Sequence, residues 1–231
     1  MVTFPGVFWP VTEALSMILP RHCIDCQRWI PSQESGQLGC DLCEQKWPDL
    51  RGSHGEMMMK ERCLLECMWT GFRLGENAAL ERQIQALKYQ GHRRLGLHLG
   101  RWVSAGAEVP FSMEKPIGLV PVPLHWRRRW KRGFNQADWI ARGVAKEWEV
   151  PIYRKALIRH QYAQSHTGLS RRKRLDHSAS AYRLGSAVPP KNVRIVLIDD
   201  VMTTGSTLRA CASVLESSNY EVLGALTLAL A

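Results

Sequence analysis

From residue 71 onward, the apolar positions of the chain alternate between strand-like and helix-like spacing. Aliphatic runs predict strands at 117–122, 152–158, 193–198 and 222–230. Between these runs, apolar residues recur every three or four positions, as on one face of a helix, at Leu80, Ile84 and Leu87, at Leu95, Leu99, Trp102 and Val103, at Ala137, Ile140, Ala141, Val144, Ala145 and Trp148, and at Leu208, Cys211, Ala212 and Leu215. Strands that alternate with helices predict an α/β fold with a doubly wound, mostly parallel sheet.

The stretch at 195–207 carries the most informative chemistry in the sequence. Four aliphatic residues predict a buried strand, Asp199 and Asp200 close it, and a loop of Thr, Gly and Ser opens a helix. Backbone N–H groups at a helix start lack partners and attract phosphate. Carboxylates repel a phosphate but accept hydrogen bonds from sugar hydroxyls. We therefore expect a sugar phosphate, with the two acids on ribose hydroxyls and the phosphate on Thr203, Thr204, Gly205, Ser206 and Thr207.

This segment resembles the phosphoribosyl-pyrophosphate (PRPP) loop of the type I phosphoribosyltransferases. The family pattern is aliphatic residues, two acids, an aliphatic residue, any residue, a Thr and a small residue, and this chain matches it throughout. The resemblance implies a type I phosphoribosyltransferase-like sheet that binds PRPP together with Mg²⁺. It also implies that Asp199 and Asp200 are catalytic, because fixed carboxylates stabilise positive charge that develops on the sugar ring. The sequence shows no acceptor pocket, so the acceptor stays open.

Six of the seven cysteines precede residue 70. Four of them form the pattern C-x2-C-x13-C-x2-C, namely Cys23, Cys26, Cys40 and Cys43. Paired thiolates with this spacing match the ligands of tetrahedral zinc, so we expect a structural zinc ion in a zinc-ribbon-like module. Cys63 and Cys67 are either a degraded further pair or thiols near the surface of the small domain.

The net charge of +10 is concentrated in one part of the chain. Residues 116–185 carry 15 basic and 4 acidic side chains, a balance of +11. Within this block, five of the six residues at 127–132 are basic, and Trp126 and Trp130 are interleaved with them. Such a block attracts polyanions, including pyrophosphate and nucleic acid, and tryptophan stacks on bases. The alternative is a solvated basic face with two packing aromatic side chains.

The basic run begins after a strand that ends in a proline-rich turn, and it precedes a helix for which Asn135 is the predicted N-cap. This position at the ligand edge of the sheet favours anion binding. The predicted pyrophosphate or polyanion contacts are Val122, Pro123, Arg127, Arg128, Arg129 and Arg132.

Several elements together resemble the ComF/GntX family of competence-associated, phosphoribosyltransferase-like proteins. They are the cysteine pairs, the Pro-Val-Pro-Leu turn at 121–124, the Arg-Gly-Phe-Asn-Gln segment at 132–136, and the acid pair with its Thr-Thr-Gly. The resemblance implies a role in DNA uptake (competence) or DNA utilisation, with the uptake machinery as partner. It also places Arg174 in a basic loop over PRPP, for which a surface helix of solvated charges is the alternative. This chain departs from the family at His166 and His177, where Gln and Asn are usual.

Three functions stay open at this point. The chain is a phosphoribosyltransferase with an undefined acceptor, a non-catalytic module that binds PRPP or a nucleotide and handles single-stranded DNA, or a zinc-organised interaction protein. We expect two domains, with residues 1–70 carrying the zinc module and 71–231 the phosphoribosyltransferase-like domain. The apolar start of the chain, residues 1–19, is interrupted by Pro5 and Pro10, and no other stretch approaches the roughly 20 apolar residues that span a bilayer. We therefore expect a cytoplasmic protein without membrane insertion.

Overall fold

The chain divides into two units, Met1–Trp47 and Pro48–Ala231. The computed structural model describes residues 21–23, 26, 28–30, 40–45, 65–75, 78–89, 91–107, 115–160 and 181–231. In the first unit, β1 (Arg21–His22) pairs antiparallel with β2 (Trp29–Ile30), and α1 (Asp41–Glu44) follows. The boundary that the sequence pattern placed at residue 70 stays a prediction.

The second unit contains one main sheet and the helices that follow its strands. In chain order its elements are β3 (Cys67–Arg73), α2 (Ala78–Tyr89), α3 (Arg93–Ala105), β4 (Ile117–Pro121), α4 (Trp126–Arg132), α5 (Gln136–Trp148), β5 (Lys155–Arg159), β6 (Tyr182–Ala187), β7 (Arg194–Met202), α6 (Ser206–Glu216) and β8 (Val222–Leu230). The main sheet has the order β3-β8-β7-β4, and every neighbouring pair is parallel. The predicted α/β fold with a parallel sheet is confirmed.

Both faces of the main sheet are buried, as the continuous aliphatic runs require. Ile195 and Leu197 of β7 belong to a core cluster that also contains Leu208 and Leu215 of α6. Because successive strand residues point to opposite faces, Val196 faces the other side, where α5 packs against β4 and β7. The sheet is therefore covered by helices on both sides.

Two glycines let the helices α3 and α5 approach each other closely. A Cβ atom added at Gly143 would overlap the Leu97 carbonyl oxygen, and one added at Gly100 would overlap the Ile140 carbonyl oxygen. Only residues without side chains fit where two helix backbones meet at this distance. This contact fixes α5 against α3, and α5 carries one wall of the cavity described below.

The predicted elements are largely confirmed, with two corrections. The helices α2, α3, α5 and α6 contain the predicted apolar positions, and β8 has the predicted bounds. The predicted strand at 152–158 is wrong as one element, because Ile152 makes only an isolated bridge to Leu119, while β5 pairs with β6 in a separate antiparallel sheet. The acids do not close β7, because parallel pairing with β8 continues to Met202. None of the helices in the described part of the chain has the length and apolarity needed to cross a membrane.

Candidate functional site: an acid-lined cavity and a four-cysteine cluster

The four predicted zinc ligands lie together in the first unit. Cys23 and Cys26 lie between β1 and β2, while Cys40 and Cys43 lie at the start of α1 and within it. Their Sγ atoms all lie within 4.8 Å of one another. Zinc bound tetrahedrally by four thiolates at about 2.3 Å holds the sulfur atoms roughly 3.8 Å apart, so the cluster has the right size for a metal ion such as zinc.

The environment of the cysteine cluster also suits a metal ion. The backbone N–H groups of Cys26 and Cys40 donate to Cys23 Sγ at 3.5 and 3.3 Å. Cys26 Sγ and Cys40 Sγ are 3.7 Å apart, much farther than the roughly 2.05 Å of a disulfide bond. Desolvation, together with hydrogen bonds among the four thiols, raises the pKa of Cys43 to about 12. A bound cation would compensate the charge of the Cys43 thiolate and so offset this effect.

In the second unit, a cavity of about 180 Å³ lies beyond the carboxyl ends of β4 and β7. This is the edge at which open α/β sheets bind their ligands. The cavity receives side chains or backbone from α2, α4, α5, α6, β5, β7 and the turn after β4, and its lining residues are Lys88, Val122, Pro123, Leu124, Arg132, Asn135, Gln136, Ala137, Arg159, Asp199, Asp200, Val201 and Thr207.

The acid pair forms the negatively charged part of the cavity. Asp199 and Asp200 are both half-buried, and Lys88 Nζ lies 3.3 Å from Asp200 Oδ2. Desolvation raises the pKa of Asp199 to about 7, and the neighbouring charge of Asp200 adds to this effect. The Asp200 backbone N–H and the charges of Lys88 and Arg159 act in the opposite direction. Asp199 therefore titrates near neutral pH in the ligand-free protein.

The predicted phosphate loop forms the turn between β7 and α6. Gly205 precedes the helix with φ of 75°, in the left-handed region that favours glycine. Thr204 Oγ1 donates to Ser206 Oγ at 3.0 Å, and the Ser206 backbone N–H donates weakly to Thr204 Oγ1 at 3.4 Å. Among the five predicted phosphate residues, Thr207 lines the cavity itself, whereas Thr203, Thr204, Gly205 and Ser206 build the turn beside it.

The turn after β4 supplies another wall of the cavity. Val122 and Pro123, which the sequence predicts as pyrophosphate or polyanion contacts, line it. The Val122 backbone N–H donates to the Ile198 carbonyl at 2.9 Å, and Asn135 Nδ2 donates to the Val122 carbonyl at 3.0 Å. Asn135 occupies the predicted N-cap position of α5, but its side chain makes no capping hydrogen bond. Its amide holds the turn instead.

Of the predicted basic residues, Arg132 lines the cavity. Its guanidinium lies 5.3 Å from the centre of the Tyr89 ring, and its Nη1 donates to Gln136 Oε1 at 3.3 Å. Arg127 lies instead over the Trp126 ring, at 5.2 Å from its centre. Arg128 and Arg129 lie in α4, but their side chains fall outside the described part of the structure. Arg174 also lies outside the described residues.

Comparison with known proteins finds that the chain is similar to proteins named for competence or for DNA utilization. No model of a known protein family matches it. It is 34% identical to the DNA utilization protein YhgH of Escherichia coli (strain K12), over 93% of this chain and 92% of that protein. The chain belongs to the ComF family.

Two further relatives of this ComF-family chain match over shorter stretches. Competence protein F of Haemophilus influenzae is 30% identical, over 60% of this chain and 62% of that protein. The adenine phosphoribosyltransferase of Polynucleobacter asymbioticus is 37% identical over 54 residues, 23% of this chain and 31% of that protein. The family predicted from the motifs is thereby confirmed.

Sequence reasoning missed several cavity residues of this ComF-family protein. Lys88 and Arg159 were not predicted as site residues, although both supply positive charge. Asn135 was predicted as a helix N-cap and Gln136 only as part of a motif, and neither was given a role at the site. The available signal was position, because Lys88 is the basic residue in the last turn of α2 and Arg159 ends β5. Their partners lie far away in sequence, and spacing carries no information about such contacts.

Proposed function

We propose that this ComF-family protein binds PRPP or a related ribose phosphate with Mg²⁺ and acts in DNA uptake or DNA utilisation. The observation that carries the proposal is that the acid pair, the start of α6 and the turn after β4 line one cavity. The names of the relatives, Competence protein F and DNA utilization protein, support the role with DNA. The short match to an adenine phosphoribosyltransferase supports the ligand class.

In this proposal each wall of the cavity binds a different part of the ligand. Asp199 and Asp200 accept hydrogen bonds from the ribose hydroxyls, and the backbone N–H groups that open α6 bind the 5-phosphate. Lys88, Arg132 and Arg159 surround the remaining anionic oxygens. Carboxylate and phosphate oxygens are the ligands that Mg²⁺ prefers, so the donor set fits this ion, which neutralises part of the pyrophosphate charge when bound.

The same arrangement serves either transfer or binding alone. In transfer, the bond between the sugar carbon and the pyrophosphate oxygen breaks, and pyrophosphate leaves with the electron pair. The lone pair of an acceptor nitrogen then forms the new bond to the sugar, and the proton of that nitrogen passes to the departing pyrophosphate or to water. Asp199 and Asp200 stabilise the positive charge on the ring, which makes them the proposed catalytic residues. Pyrophosphate release with a panel of purines, pyrimidines and amines separates transfer from binding without turnover.

The test of the ligand class is calorimetric titration with PRPP and ribose 5-phosphate in the presence of Mg²⁺. We expect saturable binding of both, and a loss of roughly tenfold or more in Asp200→Asn, because the amide has no charge and only one acceptor oxygen, so its hydrogen bonds to the ribose hydroxyls are weaker. Glu216→Gln is the matched control, since Glu216 pairs with Arg209 on α6 and does not line the cavity. Absence of binding by the wild-type protein contradicts the proposal.

A second candidate function, binding of single-stranded DNA, is favoured by the exposed aromatic side chains around α4. Trp130 is 88% exposed, Tyr89 68% and Trp126 61%. Two of these rings lie beside arginine guanidinium groups, Trp126 beside Arg127 and Tyr89 beside Arg132. Aromatic faces interleaved with cations form the stacking surface on which single strands bind with little sequence preference.

The DNA proposal predicts a steep salt dependence of oligothymidylate binding, because bound phosphates release counterions. Trp130→Ala is expected to weaken binding by about 1–3 kcal/mol, the usual contribution of one stacked base. Leu74→Ala is the control, as another exposed apolar side chain that lies outside α4. Equal affinities of the wild type and Trp130→Ala in fluorescence anisotropy remove α4 from the interface.

For the first unit we propose that Cys23, Cys26, Cys40 and Cys43 hold one structural zinc ion. The sulfur separations support this assignment, and so do the short β-hairpin and the single turn of helix that carry the ligands. Elements this small bury too little apolar surface to be stable alone, and a metal ion supplies the missing stabilisation.

A further inference from the structure

The cavity contains a buried amide whose donor end has no partner in the part of the chain that the structure describes. Gln136 is 1% exposed and lines the cavity from the first turn of α5. Its Nε2 atom has no hydrogen-bond partner among the described residues. A buried donor without an acceptor is costly, and native structures contain few of them, so such an atom calls for an explanation.

The orientation of this amide is fixed by its other end. Gln136 Oε1 accepts a hydrogen bond from Arg132 Nη1 at 3.3 Å. Rotating the amide by 180° would place an NH₂ group against the guanidinium, so that two donors would face each other. The oxygen is therefore held by Arg132, and the NH₂ group is left as a donor for an acceptor on the ligand.

The charges around the cavity indicate the class of acceptor. Arg132 lies against the amide, and Arg159, whose buried Nε atom also has no hydrogen-bond partner among the described residues, lines the same cavity. A phosphoryl group suits this set of neighbouring cationic and neutral donors, because its oxygens carry negative charge and accept several hydrogen bonds each.

We propose that Gln136 is a specificity-determining residue whose Nε2–H donates to an oxygen of a bound pyrophosphate group. The identification of this pyrophosphate group as part of PRPP rests on the proposed function. In that proposal the acids and α6 bind the ribose phosphate, which leaves the Arg132 wall of the cavity for the pyrophosphate. Arg132 has two roles on this wall, since it adds positive charge and orients the amide.

The test uses inorganic pyrophosphate alone, with ribose 5-phosphate as a separate probe, in calorimetric titrations of the full chain. Gln136→Met removes the donor at similar volume and is expected to weaken pyrophosphate binding roughly tenfold to a hundredfold. Its effect on ribose 5-phosphate is expected to stay within about twofold. Gln83→Met is the matched control, because Gln83 is a fully buried glutamine of α2 that does not line the cavity.

A second measurement uses the wild-type protein, so that a folding defect in the variant does not decide the result. The side-chain NH₂ resonances of Gln136, identified by their loss in Gln136→Met, are expected to shift when pyrophosphate is added, while those of Gln83 stay in place. Unchanged Gln136 resonances, or equal pyrophosphate affinity in the wild type and Gln136→Met, overturn the inference.

The two probes keep this inference separate from the proposed function. Pyrophosphate binding that depends on Gln136, combined with no binding of ribose 5-phosphate, supports the inference and contradicts the sugar site. Binding of ribose 5-phosphate without binding of pyrophosphate overturns the inference and leaves the sugar site standing.

Discussion

The cysteine cluster and the acid-lined cavity are built in opposite ways. The four cysteines lie between residues 23 and 43, and their spacing alone predicts that they meet. The cavity takes its residues from Lys88 to Thr207, and they meet only because a parallel sheet brings strand ends to one edge. A site formed by residues close in sequence can therefore be predicted from their spacing. A site that the fold assembles from distant segments can be predicted only where one segment contributes several of its residues.

The largest expected effect tests the local site. Cys23→Ser removes a thiolate ligand, and metal binding supplies about 10 kcal/mol or more to the folding of small zinc modules. We expect the zinc content, measured by atomic spectroscopy after dialysis, to fall from one ion per chain to near zero. Cys67→Ser is the control, because Cys67 lies in β3 outside the cluster, and it is expected to keep its metal. Full zinc occupancy in Cys23→Ser refutes the ligand set.

The next effect tests the assembled site through packing alone. Gly143→Ala places a Cβ against the Leu97 carbonyl where α3 meets α5, and overpacking of this kind costs about 1–3 kcal/mol. In an unpacked helix the same change stabilises by up to about 1 kcal/mol, so the sign is diagnostic. We expect a lower midpoint of thermal unfolding with unchanged zinc content. A higher midpoint of thermal unfolding in Gly143→Ala would show that α3 and α5 move apart without loss of stability.

The pH dependence of ligand binding probes the acid pair. Because the pKa of Asp199 is raised from 3.8 to about 7, the ligand-free protein keeps this proton at pH values where the unfolded chain has lost it. The contribution of Asp199 to stability therefore falls as pH rises through that interval. Binding of Mg²⁺ with PRPP needs the carboxylate, so its affinity is expected to rise about tenfold per pH unit below 7 and then level off. Asp199→Asn should abolish this dependence; an unchanged profile contradicts the assignment.

The smallest expected effect concerns a residue that spacing did not reveal. The charge of Lys88 holds the pKa of Asp199 down, so Lys88→Met should move the midpoint of the pH profile to higher pH. We expect PRPP affinity at neutral pH to fall by about 0.5–1 kcal/mol, the scale of a partly exposed ion pair. Lys115→Met is the matched control, since Lys115 pairs with Glu221 outside the cavity. If the midpoint of the pH profile is the same in Lys88→Met and the wild type, the charge of Lys88 does not influence the ionisation of Asp199.

Continuous burial explains why most of the sheet was predictable from the sequence. The strands β7 and β8 are buried on both faces, so they are aliphatic over long runs, and β8 was predicted with its observed bounds. The strand β3 reads Cys-Met-Trp-Thr-Gly-Phe-Arg, which has no such run, and it was not predicted. Its place is set by parallel pairing with β8, a contact between distant parts of the chain.

The cavity shows the same division between local and distant information. Asp199, Asp200 and Thr207 lie in one segment and were predicted together, as were Val122 and Pro123. Lys88 and Arg159 lie in α2 and β5, and nothing in the sequences of these elements predicts a contact with the acids. Asn135 was placed correctly at the start of α5, but a propensity rule assigned its side chain to the helix, whereas the structure assigns it to the Val122 carbonyl.

The length of β7 determines which wall of the cavity adapts to a ligand. Its ladder with β8 continues past the acids, with Val201 opposite Ala229 and Met202 opposite Leu230. Displacing either carboxylate by a backbone movement would break hydrogen bonds in the centre of the sheet. Adjustment to ligands of different size therefore falls to the long side chains of the cavity, Lys88 and Arg132, which can exchange their contacts with Asp200 and Gln136 for contacts with the ligand. The acids act as a fixed reference point for the incoming molecule.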